Sequence, residues 1–510
     1  LMSPASVSNF IPVGSIEFDL VIFDEASQIP TSHAIGALGR GKANIVVGDT
    51  KQMPPPSHFS SNQGREIEEH ESEYDVVDDP DAPPALIAQA ATDSESILEE
   101  FDDSRLPFLQ LQCHYRSKDE TLIAFSNNEI YTAFPMMTFP SVNGIRSTAL
   151  KWCPVPDGQF HRPQTDLNKL TPDQQQAALR AQPLVNSLKG TNPLEAEAVV
   201  EEVWQRLTDP ERIERRYLGA EDGAESMIVV TFNKQQRDLI MELLREKDAQ
   251  NPDARIYAKA LEEKYNEETG VLEVRPQLKI INLEHVQGDE ADTVIFSTAF
   301  TKKGGGHANP DDPKVPTNWG PVTQPGGYRR LNVAVTRAKR EMLVFCSFDP
   351  DDIAIKPSSN ENIVLVQKFL KLAKHGPQAS GDYGLGSEQS THVEQIAYEI
   401  RQRGYNVETQ VGLSKLRVDI AVSKPDSEKM QLAILLDGPN WSDRGSAMQR
   451  EILPRTMLTA LGWENVMRIW LPSWADEKQR ILQKVEDFFE GRAEVATVAI
   501  EEPVYPDRPN

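Results

Sequence analysis

Four residues stand where they could handle a phosphate: Asp24, Glu25, Asp49 and Gln52. Asp24 and Glu25 close the apolar run Leu20, Val21, Ile22, Phe23, and Asp49 and Gln52 follow the run Ile45 to Val47 through Gly48. Short apolar runs of this kind read as buried parallel strands. Carboxylates just past the carboxyl end of such strands lie in the crevice where open α/β sheets bind ligands. Magnesium is a hard cation that takes oxygen ligands, so a strand-end Asp24 suits it beside phosphates. Glu25 can then position or deprotonate an attacking water. Two core strands that end in acidic turns would look the same taken singly. The pair at this spacing is the signal.

The elements that must position these groups alternate along the chain. Residues 1–56 read as strand, helix, strand, the end of an α/β domain. Residues 57–95 are polar and acidic, with Pro80, Pro83 and Pro84, and read as a linker or insertion. From 96 to 375 strand and helix signals alternate again. Asn192, Pro193 and Glu195 mark a helix start with a cap, a first-turn proline and a carboxylate at N3. Met227 to Phe232, Leu278 to Leu283, Thr293 to Ser297 and Met342 to Cys346 are short buried-strand candidates. Together they predict a parallel sheet with crossover helices. A Gly/Ser/Pro-rich linker covers 376–387, a compact α/β unit fills 388–492, and 493–510 reads as a tail. Leu1 is not an initiator methionine, and the chain looks like the carboxyl-terminal part of something longer.

At 510 residues and 39% hydrophobic content the chain is globular and long enough for several domains. No apolar run approaches the ~20 residues that cross a bilayer, and no signal-peptide segment is present. Membrane partners are not expected, and a reducing cytoplasm is. Cys113, Cys153 and Cys346 are odd in number and far apart, which supports neither a disulfide framework nor a zinc site. The net charge of −25 works against nonspecific binding to phosphates. It is uneven, however. Residues 66–81 hold nine acidic residues and no basic one, which fits a solvated insertion.

Further stretches join the opening pair in order. LQCHYRS carries His114, Tyr115 and Arg116 before a helix; VVTFNKQQ carries Thr231, Asn233 and Gln236 after a strand. HVQGDEAD supplies Gln287, Gly288, Asp289 and Glu290, and RRLNVAVTRAKRE supplies Arg330, Asn332, Thr336, Arg337 and Lys339 on a helix. Alone, Arg337 reads equally as a surface ion-pair residue, Asp289 as a turn cap and Lys339 as part of a solvated face. As a set, DEASQ, GDTKQMPP, HYRS, VQGDEAD and RLNVAVTRAK resemble motifs of superfamily 1 helicases. The likeness is to the two-lobed RecA-like branch that includes the nonsense-mediated-decay and Okazaki-fragment helicases, and it covers about residues 1–350. The resemblance implies that ATP lies between two lobes, with the first lobe truncated in this chain. It implies that Asp24 coordinates Mg2+, Glu25 activates water, and Asp49 and Gln52 serve the nucleotide, Gln52 sensing the γ-phosphate. Arg116 and Arg337 would be arginine fingers, and Gln287, Gly288 and Glu290 would couple nucleotide state to the nucleic-acid track. Ser3 and Pro4, with Thr231 and Asn233, are candidate strand contacts.

The phosphate-cradling GxxxxGK[ST] loop lies upstream of DEAS in such proteins, beyond where this chain begins. GALGRGKA at Gly36 to Ala43 is a near match that ends in Ala where a hydroxyl should meet magnesium, and it leads into a strand. It reads as a turn. The chain alone is therefore expected to hydrolyse ATP poorly and the intact protein to hydrolyse it.

Residues 388–475 order as helix SEQSTHVEQIAYEIRQRGY, strands VETQVG, LRVDIAV and LAILLDG, a helix through Leu461, and strand VMRIWLP. Carboxylates on adjacent strands can share a divalent metal that activates water for phosphodiester attack. The layout resembles the PD-(D/E)XK nuclease fold, especially its Vsr-like form. The resemblance gives Glu394, Asp419 and Asp437 as metal ligands, but Leu435 stands where a metal-binding Glu belongs and Ser442 replaces a His. That favours a degraded site kept for DNA binding or packing, with a metal-dependent endonuclease fed by the motor as the alternative. Trp441, Trp463, Trp470 and Trp474 could stack on bases or fill the core. The functional expectation is an ATP-dependent translocase on single-stranded nucleic acid, DNA before RNA, moving 5′ to 3′; a non-enzymatic nucleic-acid-binding module is the third reading.

Overall fold

The computed structural model describes residues 1–55, 96–143, 147–161, 167–209, 225–250, 255–262, 264–265, 272–274, 277–283, 286, 288–302, 315–379, 391–442 and 444–492. The acidic stretch 57–95, most of the 376–387 linker and the 493–510 tail lie outside the described residues. The chain divides into two compact units: residues 1–112, 121–135 and 149–380, and residues 113–120, 136–148 and 381–510.

The first unit is α/β and RecA-like. Its main sheet is made of β3 (Leu150–Pro154), β4 (Met227–Thr231), β7 (Leu278–Asn282), β8 (Ala291–Ser297) and β9 (Ala338–Cys346), all parallel, in the order β3-β9-β8-β4-β7; the short β5 (Lys264–Tyr265) and β6 (Leu272–Val274) form a separate antiparallel pair. The four buried-strand candidates between Met227 and Cys346 fall on the main sheet, whereas the runs 20–23 and 45–47, also expected to be buried, leave Leu20, Ile22, Ile45 and Val47 exposed. β4 is buried at every position because both faces are covered, as expected of a parallel sheet. Met227 and Val229 face the helices Pro193–Thr208 and Lys234–Ala249, whose Val199, Val203, Leu239 and Ile240 are fully buried. On the opposite face Phe296 meets Phe369 of the helix Glu361–Ala379, and Phe369 meets Phe125 of the helix Thr121–Glu129. Two further parallel strands, β1 (Phe18–Phe23) and β2 (Gly41–Val46), pair separately with Phe23 opposite Val46.

The second unit is a smaller mixed sheet in the order β10-β11-β12-β13. β10 (Asn406–Val411), β11 (Val418–Ser423) and β12 (Leu432–Leu436) are antiparallel, and β13 (Asn465–Ile469) is parallel to β12. One face packs on the helices Thr391–Arg401 and Leu471–Phe489 through Ile420, Ile434, Ile396 and Val485. The other face is closed partly by chain from far upstream. Phe139 is buried against Val418, Leu435 and Trp463, with Cys113, Met137 and Val142 beside it. The sequence reading placed 113–120 and 136–148 inside the 96–375 domain, whereas the apolar side chains at 113, 137, 139 and 142 join them to this second sheet. Among the described residues no helix is long and apolar enough to cross a membrane.

Candidate functional site

β1 and β2 deliver the opening acids to one edge of the first unit. The amide of Val47 donates to the Phe23 carbonyl at 2.8 Å, and the amide of Ala26 to the Val47 carbonyl at 3.0 Å. The two strand ends are thus held together while Asp24 and Glu25 leave the sheet. Glu25 turns the chain with φ 50 and ψ 40, a left-handed conformation uncommon for a non-glycine residue. Asp24 accepts the Glu25 amide at 3.0 Å, and Glu25 accepts the Gln28 side-chain amide at 3.2 Å. Both carboxylates remain exposed. Gly48 makes the tight approach possible, since a Cβ there would come within 2.9 Å of Leu98 and 3.1 Å of the Ser27 amide nitrogen.

Asp49 is the hub of the next layer. Its carboxylate accepts the Lys51 amide at 2.8 Å, the Gln52 side-chain amide at 3.1 Å and the Tyr131 hydroxyl at 2.6 Å. Burial and the Asp49 charge push the Tyr131 phenol well above its ordinary ionisation range, so it stays a donor. Asn332, fully buried on the helix Gly327–Val335, donates through Nδ2 to the Lys51 carbonyl and to the Tyr131 oxygen, both at 2.9 Å. Arg337 lies just past that helix, in the turn before β9. It is 4% exposed, donates through Nε to the Val333 carbonyl at 3.0 Å, and reaches Gln52 Oε1 at 3.4 Å through Nη2. A continuous polar chain therefore runs from Asp49 through Gln52 to Arg337, braced by Tyr131 and Asn332. The Tyr131 and Asn332 roles escaped the sequence reading, because neither a tyrosine just past a helix nor an asparagine within one carries a signal of a partner so far along the chain.

Two exposed carboxylates at the β1 end are hard oxygen donors, a set that fits a magnesium–nucleotide pair. The near match Gly36–Ala43 does not cradle phosphates. It runs from the helix Thr31–Leu38 into β2, the reverse of strand into helix, and Lys42 is committed to Asp19 at 2.9 Å.

The remaining sequence candidates fall elsewhere. Arg116 belongs to the second unit and is exposed, next to a His114 that burial and the Arg116 charge hold neutral, with a pKa lowered to about 4. Gln287 lies outside the described residues. Gly288 adopts φ +87 on an exposed turn, and Glu290 pairs with Lys339 at 2.6 Å. Lys339 thus sits on β9, not on the helix face expected of it. Ser3 caps the helix Pro4–Phe10, accepting from the Ser6 amide. Asn233 caps the helix Lys234–Ala249 by accepting the Gln236 amide at 2.8 Å, and buried Thr231 donates to the Asn233 carbonyl at 2.7 Å.

In the second unit the tentative metal set does not assemble. Asp419, 5% exposed, accepts the Leu436 amide at 2.7 Å and the Gln410 side chain at 3.3 Å. Asp437 accepts the Leu471 amide at 2.7 Å, and Glu394 is held by Thr409 at 2.8 Å. Leu435 is buried in an apolar cluster with Leu458 and Trp463. Among the described residues, no group of three or more His, Cys, Asp or Glu is arranged to hold a metal ion. The donors present therefore do not fit a nuclease metal. Of the four tryptophans, Trp463 and Trp474 are core residues, while Trp470 is 43% exposed.

Comparison with known proteins bears on both units. Residues 393–489 match the restriction-endonuclease-type family model REase_MTES_1575. An "Uncharacterized ATP-dependent helicase" of Mycoplasma genitalium is 27% identical over 372 residues, 72% of this chain and 27% of the relative. Its homolog in Mycoplasma pneumoniae is 27% identical over 484 residues, 92% of this chain and 36% of the relative. The chain thus spans roughly a third of the length of these curated relatives. Residues 94–349, just over half of the 510, match the model of an AAA domain, AAA_12. The chain belongs to that AAA-domain family.

Proposed function

We propose that this chain forms the acid and arginine side of the nucleotide site in an ATP-dependent nucleic-acid motor. The observation that supports it most is the hydrogen-bonded chain Asp49–Gln52–Arg337, which ties the strand-end acids to an arginine far along the sequence. A phosphoryl group in transit spreads negative charge over its oxygens, and catalysis is positioning plus electrostatic stabilisation of that charge. Asp24 would hold a magnesium ion, which would supply charge neutralisation of the phosphates when bound, and Glu25 would take the proton of the attacking water. Gln52, already shared between Asp49 and Arg337, is placed to report the terminal phosphate to the guanidinium. Arg337 is held by the Val333 carbonyl, so little side-chain freedom remains to be lost when it meets an anion. Gln287, Gly288 and Glu290 couple the site to the track, a single strand of DNA rather than RNA, travelled 5′ to 3′. Ser3, Pro4 and Asn233 line that track, while Thr231, buried beneath it, holds the Asn233 carbonyl.

The relatives named as ATP-dependent helicases agree with this reading. The test is nucleic-acid-stimulated ATP hydrolysis by the protein at its full gene length, with Glu25→Gln and Arg337→Ala compared to wild type. Each substitution should lower kcat by about 10³-fold or more while leaving the thermal unfolding midpoint of Glu25→Gln unchanged. Near-wild-type turnover in Glu25→Gln would remove Glu25 from the site.

A further inference from the structure

The strand ends of the second unit carry guanidinium groups where a nuclease would carry a metal. Leu435 pairs in register with Arg468 on the neighbouring strand β13. Asp419 precedes Ile420, which pairs with Ile434, so Asp419, Leu435 and Arg468 stand abreast on one face of the sheet. Arg468 donates to the Leu436 carbonyl at 3.0 Å and to the Arg450 carbonyl at 2.9 Å, which fixes its plane at the end of β12. Arg444 is 6% exposed and feels the charges of Arg468 and Asp419. Among the described residues, Nε and Nη1 of Arg444 and Nε of Arg468 are buried with no hydrogen-bond partner.

Unpartnered buried donors on a charged group are costly and rare. The nearby acids do not relieve them. Asp419 and Asp437 are already engaged by backbone amides, and Glu451 lies 3.5 Å from Arg468 while also accepting the Trp441 indole. Planar guanidinium forks match phosphate oxygens. Beside them stand two aromatic rings: Arg468 lies over Trp470 at 5.9 Å, and Trp470 meets Trp441 edge-on at 5.7 Å. The exposed Trp470 offers a stacking face for a base.

We propose that this cluster of buried guanidinium donors binds a phosphate of a nucleic-acid strand directly on Arg444 and Arg468, without a metal ion, with Trp470 stacking on the adjoining base. The fixed cations take over the charge that a divalent ion supplies in an active nuclease. With neither Lewis acid nor metal-bound water, the strand is held and not cut. The inference does not depend on the motor reading of the first unit.

The test is backbone hydrogen exchange of the full chain in EDTA without nucleotide, with a 5′-phosphorylated tetrathymidylate and its unphosphorylated twin as probes. Protection should appear at residues 436–438 and 465–471 and should not change on adding Mg2+. Protection by the phosphorylated probe alone identifies a terminal phosphate as the ligand; protection by both identifies an internal phosphodiester. Arg444→Met and Arg468→Gln should each weaken binding by about tenfold or more, as expected for losing a charge-assisted hydrogen bond. The proposal is overturned by no protection at these segments, by protection only with Mg2+ or Mn2+, or by unchanged affinity in a folded Arg444→Met. Should either variant fail to fold, the wild-type protection map decides alone.

Discussion

Asn332 shows how a single side chain can hold a site together from a distance. It donates to the Lys51 carbonyl and the Tyr131 hydroxyl, groups that come from the β2 end and from the segment after the helix Thr121–Glu129. Asn332→Ala removes two hydrogen bonds made from a fully buried side chain, and the expected loss of unfolding free energy is about 1–3 kcal/mol. Tyr131→Phe removes one neutral donor to a carboxylate and should cost about 1–2 kcal/mol. Urea titration of both variants checks the pair; equal midpoints to wild type would mean that these bonds are not made in solution. At this scale the sequence was most informative where chemistry is local. Asp24, Glu25, Asp49 and Gln52 lie beside their own strand ends, and Leu435 announced a missing ligand by its type alone. Tyr131 bonds Asp49 across 82 positions and Asn332 reaches Lys51 across 281, so nothing near either residue marks the pairing. Arg468 is unreadable for the same reason, since only the register of β12 with β13 sets it beside Leu435.

At the scale of elements, two buried titratable side chains, Glu195 and Arg206, hold the five-stranded sheet to its helices. Glu195 was read as the N3 carboxylate of a helix start, and Asn192 does cap that helix by accepting the Glu195 amide at 3.3 Å. The Glu195 side chain, however, turns into the core. It accepts Ser297 Oγ at 2.8 Å and the Ala299 amide at 2.7 Å beyond the end of β8, and Ser347 Oγ at 2.6 Å beyond β9. Burial raises its pKa from 4.5 to about 7 against those donors. The folded state therefore holds a proton that the unfolded state releases between pH 4.5 and 7, so this group's contribution to stability falls as pH rises through that window. Glu195→Gln should flatten that dependence, by on the order of 1–3 kcal/mol between pH 5 and 8. Unfolding midpoints at the two pH values check it, and an unchanged slope would place the titration elsewhere. Arg206, 7% exposed on the helix Pro193–Thr208, meets Glu202 at 2.6 Å, Glu225 at 2.9 Å and Glu341 at 2.7 Å. Removing one partner of a buried ion pair leaves uncompensated charge, so Arg206→Ala should cost about 3–5 kcal/mol in chemical denaturation; a loss under 1 kcal/mol, typical of surface pairs, would mean the cluster is solvated. The strands and capped helices were legible because periodicity and capping are properties of contiguous residues. The use of residues 113–120 and 136–148 in the second unit was not, because a segment that completes a distant sheet carries the same apolar residues as one that completes its own.

Across the whole molecule, a net charge of −25 sets a limit on how nucleic acid can be held. General attraction is unfavourable, so binding must come from local basic groups, and affinity should fall steeply with salt. In the proposal above the second unit offers such groups as the Arg444–Arg468 pair, whereas Arg337 of the first is given to the nucleotide. The α/β class, with a RecA-like parallel sheet followed by a small restriction-endonuclease-like unit, was readable from ordered motifs and from the strand-rich segment after residue 388. The polymer and its direction were not, since motifs of this kind describe how phosphates are handled more than which sugar carries them. The most direct measurement of the central claim is ATP hydrolysis by the protein at full gene length, with single-stranded DNA, with single-stranded RNA and with neither. Turnover that depends on Glu25 and rises several-fold with DNA is the expected result. No turnover under any of the three conditions, in a protein that melts cooperatively, would contradict the motor and leave a binding module in its place.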